Sequence, residues 1–82
     1  MKVTILFFSI FREKTGVNEL SLELEKVGLT VSDALAKLFE SYEGLKEWET
    51  KMLIAVNCEY ASGSTVLRDG DELALMPPVQ GG

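Results

Sequence analysis

The sequence predicts an α+β fold, a mixed sheet of about five strands with one main helix across one face. Short runs with apolar residues at every second position lie towards both ends of the chain, as strands require. Between them, residues 31–42 repeat their apolar positions at the helical period. The chain has 82 residues, enough for one domain that buries about 60–65% of its unfolded surface.

Val3, Ile5 and Phe7 alternate with Thr4, Leu6 and Phe8 in the first strand. Both of its faces are apolar, which suits a central strand or one whose second face meets a partner. Ser9 to Gly16 is expected as a polar connection. Leu20, Leu22 and Leu24 alternate with Glu19, Ser21, Glu23 and Glu25, giving a second, antiparallel strand with one wet face. Thr30 and Asp33 have the spacing of a capping box. After Thr30, Val31, Ala34, Leu35, Leu38, Phe39 and Tyr42 form one helical face, and Gly44 is the expected stop. Leu45 and Trp48 are expected to pack a short turn on the core. Met52 to Val56 is the third strand, expected to be buried on both faces. Asn57 to Gly63 is a turn region with room for a short edge strand around Tyr60. Asp69-Gly70-Asp71 is a turn. Glu72 to Met76 is the last strand, with Leu73 and Leu75 inward and Ala74 and Met76 opposite. A helix lying across a sheet in this order of elements covers one face. That is the β-grasp, or ubiquitin-like, roll. Its predicted extent is residues 1–76, with 77–82 as an extended tail.

The tail is Pro77-Pro78-Val79-Gln80-Gly81-Gly82. The two prolines stop the strand and give the tail a stiff, extended base. Two glycines let a backbone pass a slot that any side chain would block. A C-terminal carboxylate at Gly82 can then be the reacting group in a partner's narrow active site. A frayed terminus after a simple strand stop is the alternative reading.

The net charge of −5 disfavours nucleic acid and anionic membrane surfaces. It suits a basic docking partner or plain solubility. The apolar runs are too short to span a membrane, and Met1 to Thr4 does not open a signal peptide. The single cysteine, Cys58, forms no internal disulfide and is expected as a small packing residue; a cytoplasmic setting is expected. The absence of histidine excludes a His-based triad. No metal-ligand set and no phosphate-binding fingerprint is present. With no internal catalytic constellation, the chain end is the candidate reactive group.

Several segments together resemble a known family. They are Leu6-Phe7-Phe8-Ser9 with Arg12-Glu13 and Gly16, Thr30-Val31 with Ala34-Leu35, and Ala55-Val56-Asn57. Leu67 to Ala74 and the Pro-Pro-Val-Gln-Gly-Gly tail complete the set. The chain resembles the ubiquitin-related sulfur carriers of the MoaD and ThiS type, above all the small subunits of molybdopterin synthase. The resemblance implies that an E1-like adenylating enzyme consumes ATP to activate Gly82, with no cofactor bound by this chain. Sulfur then gives a C-terminal thiocarboxylate. It further implies that the synthase large subunit, in a heterotetramer, receives the tail from Pro77 to Gly81, and that sulfur passes to a pyranopterin precursor of the molybdenum cofactor. Such a chain counts as an enzyme only as the sulfur-donor subunit. In the family, apolar residues at the places of Phe8, Tyr60 and Met76 form the patch that meets both partners. Arg12 lies beside it, either to pair with a partner acid or as an exposed solubilising charge. Ordinary core or scattered surface residues are the alternative for the three apolar positions. Rival functions are a carrier for thiazole synthesis or tRNA thiolation, a ubiquitin-like protein modifier, and a β-grasp binding module with an inert tail.

Overall fold

A computed structural model describes residues 1–78 of the protein. Val79, Gln80, Gly81 and Gly82, the outer part of the predicted tail, lie outside the described residues. In chain order the strands are Lys2–Phe7 (β1), Glu19–Glu23 (β2), Leu53–Val56 (β3), Glu59–Tyr60 (β4) and Glu72–Met76 (β5). They form one sheet in the order β2-β1-β5-β3-β4. β1 runs parallel to β5, and the other neighbouring pairs are antiparallel. The first and last strands therefore sit side by side in the middle.

Alternation along the strands sorts the side chains. Val3, Ile5, Phe7, Leu73 and Leu75 are buried on one face. Helix α2, Val31–Ser41, lays Val31, Ala34, Leu35, Leu38 and Phe39 into the same core. Burying a side chain of this size contributes about 1.5–3 kcal/mol, so this two-layer contact is the main source of stability. The result is the predicted β-grasp roll.

The predicted capping box starts α2. Thr30 Oγ1 accepts a hydrogen bond from the Asp33 amide at 3.3 Å, and Asp33 Oδ2 accepts from the Thr30 amide at 2.8 Å. The bonds from the Thr30 backbone, then from its hydroxyl, hold the Asp33 carboxyl below its ordinary value of 3.8. A lowered folded-state value means that this contribution is present above 3.8 and is lost as pH falls through the depressed value. Thr30→Ala is expected to cost about 1 kcal/mol at neutral pH. In denaturant titrations the gap to wild type should narrow as Asp33 becomes protonated. A gap independent of pH would show that the Thr30 hydroxyl does not act through the Asp33 carboxylate.

Three local expectations are corrected. The polar connection after β1 contains a helix, α1, Ile10–Thr15. Ser9, at φ 55 and ψ −127, turns the chain, and the Phe11 amide donates to the Phe8 carbonyl at 3.1 Å. Phe11 is thereby fully buried, edge-on to Trp48 with ring centroids 5.5 Å apart. The left-handed Gly16, φ 80, closes the helix by donating its amide to the Arg12 carbonyl. Second, α2 ends at Ser41, capped by Tyr42, rather than running on to a stop at Gly44. Gly44 lies within a 3-10 helix, Glu43–Trp48, which brings Leu45 into the core. Third, β3 is not buried on both faces: Met52 and Ala55 are buried, whereas Leu53, Ile54 and Val56 are half-buried. Its outer neighbour β4 has only two residues, both exposed.

Candidate docking face at the root of the tail

The face of the sheet away from α2 carries a row that crosses four strands. Leu6 of β1 is in register with Ala74 of β5, Ala74 with Ala55 of β3, and Ala55 with Tyr60 of β4. The two middle residues are alanines and the two outer ones are large. A row shaped in this way leaves a depression over its centre. The depression is an open hollow of about 310 Å³. Phe8, Met76, Cys58 and Glu72 complete its lining around Leu6, Ala55, Ala74 and Tyr60. Phe8 and Tyr60 are 43% and 79% exposed, a large aromatic area for a domain of this size to leave in water.

The chain segments around the hollow are held by backbone geometry. The Phe8 amide donates to the Leu75 carbonyl at 3.2 Å, extending the β1–β5 pairing by one step and placing Phe8 beside Met76. At the other end, Asn57 and Cys58 join β3 to β4 with φ of 50 and 71, the two positive values of a type I′ hairpin. Asn57 then bridges to β5. Its Oδ1 accepts from the Glu72 amide at 3.0 Å, and its Nδ2 donates to Asp71 Oδ1 at 2.9 Å. Asp71 Oδ2 accepts from the Arg68 amide, and Asp69 Oδ1 from the Lys2 amide. The aspartates flanking Gly70 thus serve the turn before β5, as predicted.

Phe8, Tyr60 and Met76, the three apolar positions singled out in the sequence, lie around one hollow. Arg12 is exposed on α1 and does not line it. Cys58 departs from expectation. It is exposed at the tip of a two-residue turn rather than packed inside. Leu6, Ala55, Ala74 and Glu72 were not expected at this site. Alternation puts Leu6 and Ala74 on the face of Phe8 and Met76, but only cross-strand register brings them together with Ala55 and Tyr60, and register is invisible until strands are paired. Pro77 and Pro78 are half-buried and follow directly from Met76 on the rim. The base of the tail therefore leaves the body at the edge of the apolar face. Gly81 and Gly82 lie outside the described residues.

A family model described as the ThiS family matches residues 5–82. The chain belongs to the ThiS family. This ThiS-family chain is 34% identical over 82 residues to the molybdopterin synthase sulfur carrier subunit of Arabidopsis thaliana, covering all of this chain and 84% of that protein. It is 36% identical over 84 residues to the protein of the same name from Chlamydomonas reinhardtii, with all of both covered. Two solved structures are similar over the whole of both chains. One is SAMP1 from Haloferax volcanii, at a TM-score of 0.88 and 27% identity. The other is a chain in the protein–protein complex of subunits 1 and 2 of the molybdopterin-converting factor from Helicobacter pylori 26695, at 0.69 and 31%. No helix among the described residues is long and apolar enough to cross a membrane.

Proposed function

We propose that this protein is the sulfur-carrier subunit of a molybdopterin synthase, with Gly82 as the end that carries sulfur. The observation that carries the reading is whole-chain similarity, at 34% and 36% identity, to proteins of that name. The chemistry requires no active site within the fold. A carboxylate is a poor acyl donor, and adenylation makes it a good one. When the Gly82 carboxylate attacks the α-phosphorus of ATP, pyrophosphate leaves and a reactive acyl adenylate forms. A sulfide-level nucleophile then attacks the acyl carbon, a C–S bond forms, and AMP departs. The thiocarboxylate sulfur can next attack an electrophilic carbon of the pyranopterin precursor and displace an oxygen substituent there, and water then cleaves the acyl–sulfur bond, leaving sulfur on the pterin and Gly82 as carboxylate. The fold's part is presentation: one difficult transfer becomes several easier covalent ones on other proteins' surfaces.

The large subunit and an E1-like adenylating enzyme are the proposed partners, in the cytoplasm. Both would meet the face around Phe8 and Met76 while the tail, from Pro77 to Gly81, enters the active site. Docking beside the root of a short tail raises its effective concentration at that active site. Intact-mass measurement of protein purified from its own host tests the reading. A fraction with one terminal oxygen replaced by sulfur is the expected result, and tails that stay unmodified under every growth condition would reject it.

A second reading is favoured by one observation, the whole-chain match to SAMP1, a protein also described as small archaeal modifier protein 1. A modifier would appear as isopeptide-linked Gly82 on lysines of other proteins, detectable in the same cell extract.

The docking face has its own test. Met76 is half-buried on the rim, so Met76→Lys can keep its charge in water in the free protein. Stability is expected to change by less than about 1 kcal/mol, as at ordinary surface sites. In the complex the charge would be desolvated without a partner, and affinity for the large subunit is expected to fall about thirtyfold or more. Joint loss of stability and binding would instead make Met76 a core residue.

A further inference from the structure

The proposed docking rests on large groups at the rim, but the centre of the face is made of the smallest side chains available. Ala55 and Ala74 stand opposite each other on adjacent central strands. Leu6 and Tyr60 flank them on the outer strands, and Phe8 and Met76 close one end. Strand positions on an apolar face favour β-branched and aromatic residues, and two alanines there forgo contact area that bulkier residues would bury. Their backbone groups are already engaged, since β5 pairs with both β1 and β3. A partner main chain therefore finds no free ladder at this point; what can enter is a side chain. The lining is apolar apart from Tyr60, Cys58 and a single ionisable acid, Glu72, at the end away from Phe8. The Glu72 amide is bonded to Asn57, and its carboxylate faces out from an exposed residue.

We propose that Ala55 and Ala74 determine which partner this carrier accepts, by keeping the hollow open for one apolar side chain of the synthase large subunit. That side chain sits next to a basic residue of the large subunit, which meets Glu72. The inference rests on the carrier reading above and goes further by naming the receiving residues and the chemistry of what they receive. A filled hollow would reject such a knob while leaving the rim intact. The same alanines thus work as a size filter between related large subunits.

The test measures binding of the full-length chain to the purified large subunit by calorimetry at two salt concentrations. Ala74→Leu projects its added methyl groups into open space rather than into the core. It is expected to melt like wild type and to bind at least tenfold more weakly. Glu72→Gln is expected to bind more weakly at low salt and to lose part of the salt dependence, because charge pairs across an interface are screened. The wild-type complex gives a check that needs no variant: the Ala55 and Ala74 methyl resonances should shift when the large subunit is added. Undiminished binding by a folded Ala74→Leu, or unshifted alanine methyls in a wild-type complex, overturns this inference alone. If the wild-type chain does not bind the large subunit at all, the carrier reading falls with it.

Discussion

Adding one residue after Gly82 is expected to abolish sulfur transfer. The carboxylate that reacts in the proposed mechanism belongs to Gly82, and an appended alanine moves it one residue out of register. The new terminus also carries a Cβ where a slot built for glycine has no room for one. Productive geometry in such sites tolerates little displacement, and a misplacement near 1 Å can cost about a hundredfold in rate. A full residue spans about 3.3 Å or more in extended chain, so activity in a reconstituted synthase assay is expected to fall to background. Circular dichroism should be unchanged, because the core elements end at Met76. Full activity of the extended protein would reject Gly82 as the reacting end.

The largest effect on stability is expected from Phe11→Ala. Phe11 is fully buried, although it lies on a helix of six residues. It packs edge-on against Trp48 and ties α1 to the 3-10 helix that follows α2. Removing the ring deletes its transfer free energy and leaves a cavity that the flanking strand and helix can only partly close. Such truncations cost about 3–5 kcal/mol. In a domain of this length each kcal/mol shifts the midpoint by about 4–8 °C, so the thermal midpoint should fall by at least about 12 °C. A loss under about 1 kcal/mol would show that α1 is peripheral to the core.

What the sequence made legible follows the strength of each periodic signal. Helix α2 is long enough for its apolar stripe to repeat three times, and its cap is encoded by two residues at fixed spacing. The alternating strands are similarly plain. In α1 only Ile10 and Phe11 are apolar, which is less than one period of evidence, and the turn at Ser9 has no side-chain signature. Gly44 marks the expected end of α2 because glycine commonly stops helices. The chain instead tightens into a 3-10 helix that uses Leu45 as its anchor. Cys58 reads as a small packing residue because the chain has no histidine to activate a thiol. Its exposure depends on the hairpin having a two-residue loop, which neighbouring residues do not specify. The rim of the hollow was readable as large apolar residues on the second face. Its floor was not, since an alanine in a sequence carries no sign that another alanine stands opposite it.

The central position of β5 has a consequence for how the molecule comes into being. The sheet is assembled from an early pair, β1 with β2, and a late pair, β3 with β4, and only β5 joins them. Val3, Ile5 and Phe7 must wait for Leu73 and Leu75, about seventy residues downstream by the register of the strands. Contacts between such distant parts of a chain form slowly, because the intervening loop must close first. During synthesis the roll cannot complete its sheet until Met76 has emerged, and only a few residues then separate the finished fold from Gly82. Completion of the body and arrival of Gly82 are almost the same event. A nascent chain interrupted anywhere before β5 would lack both the central strand and the assembled face, and so could not compete with finished carriers for their partners.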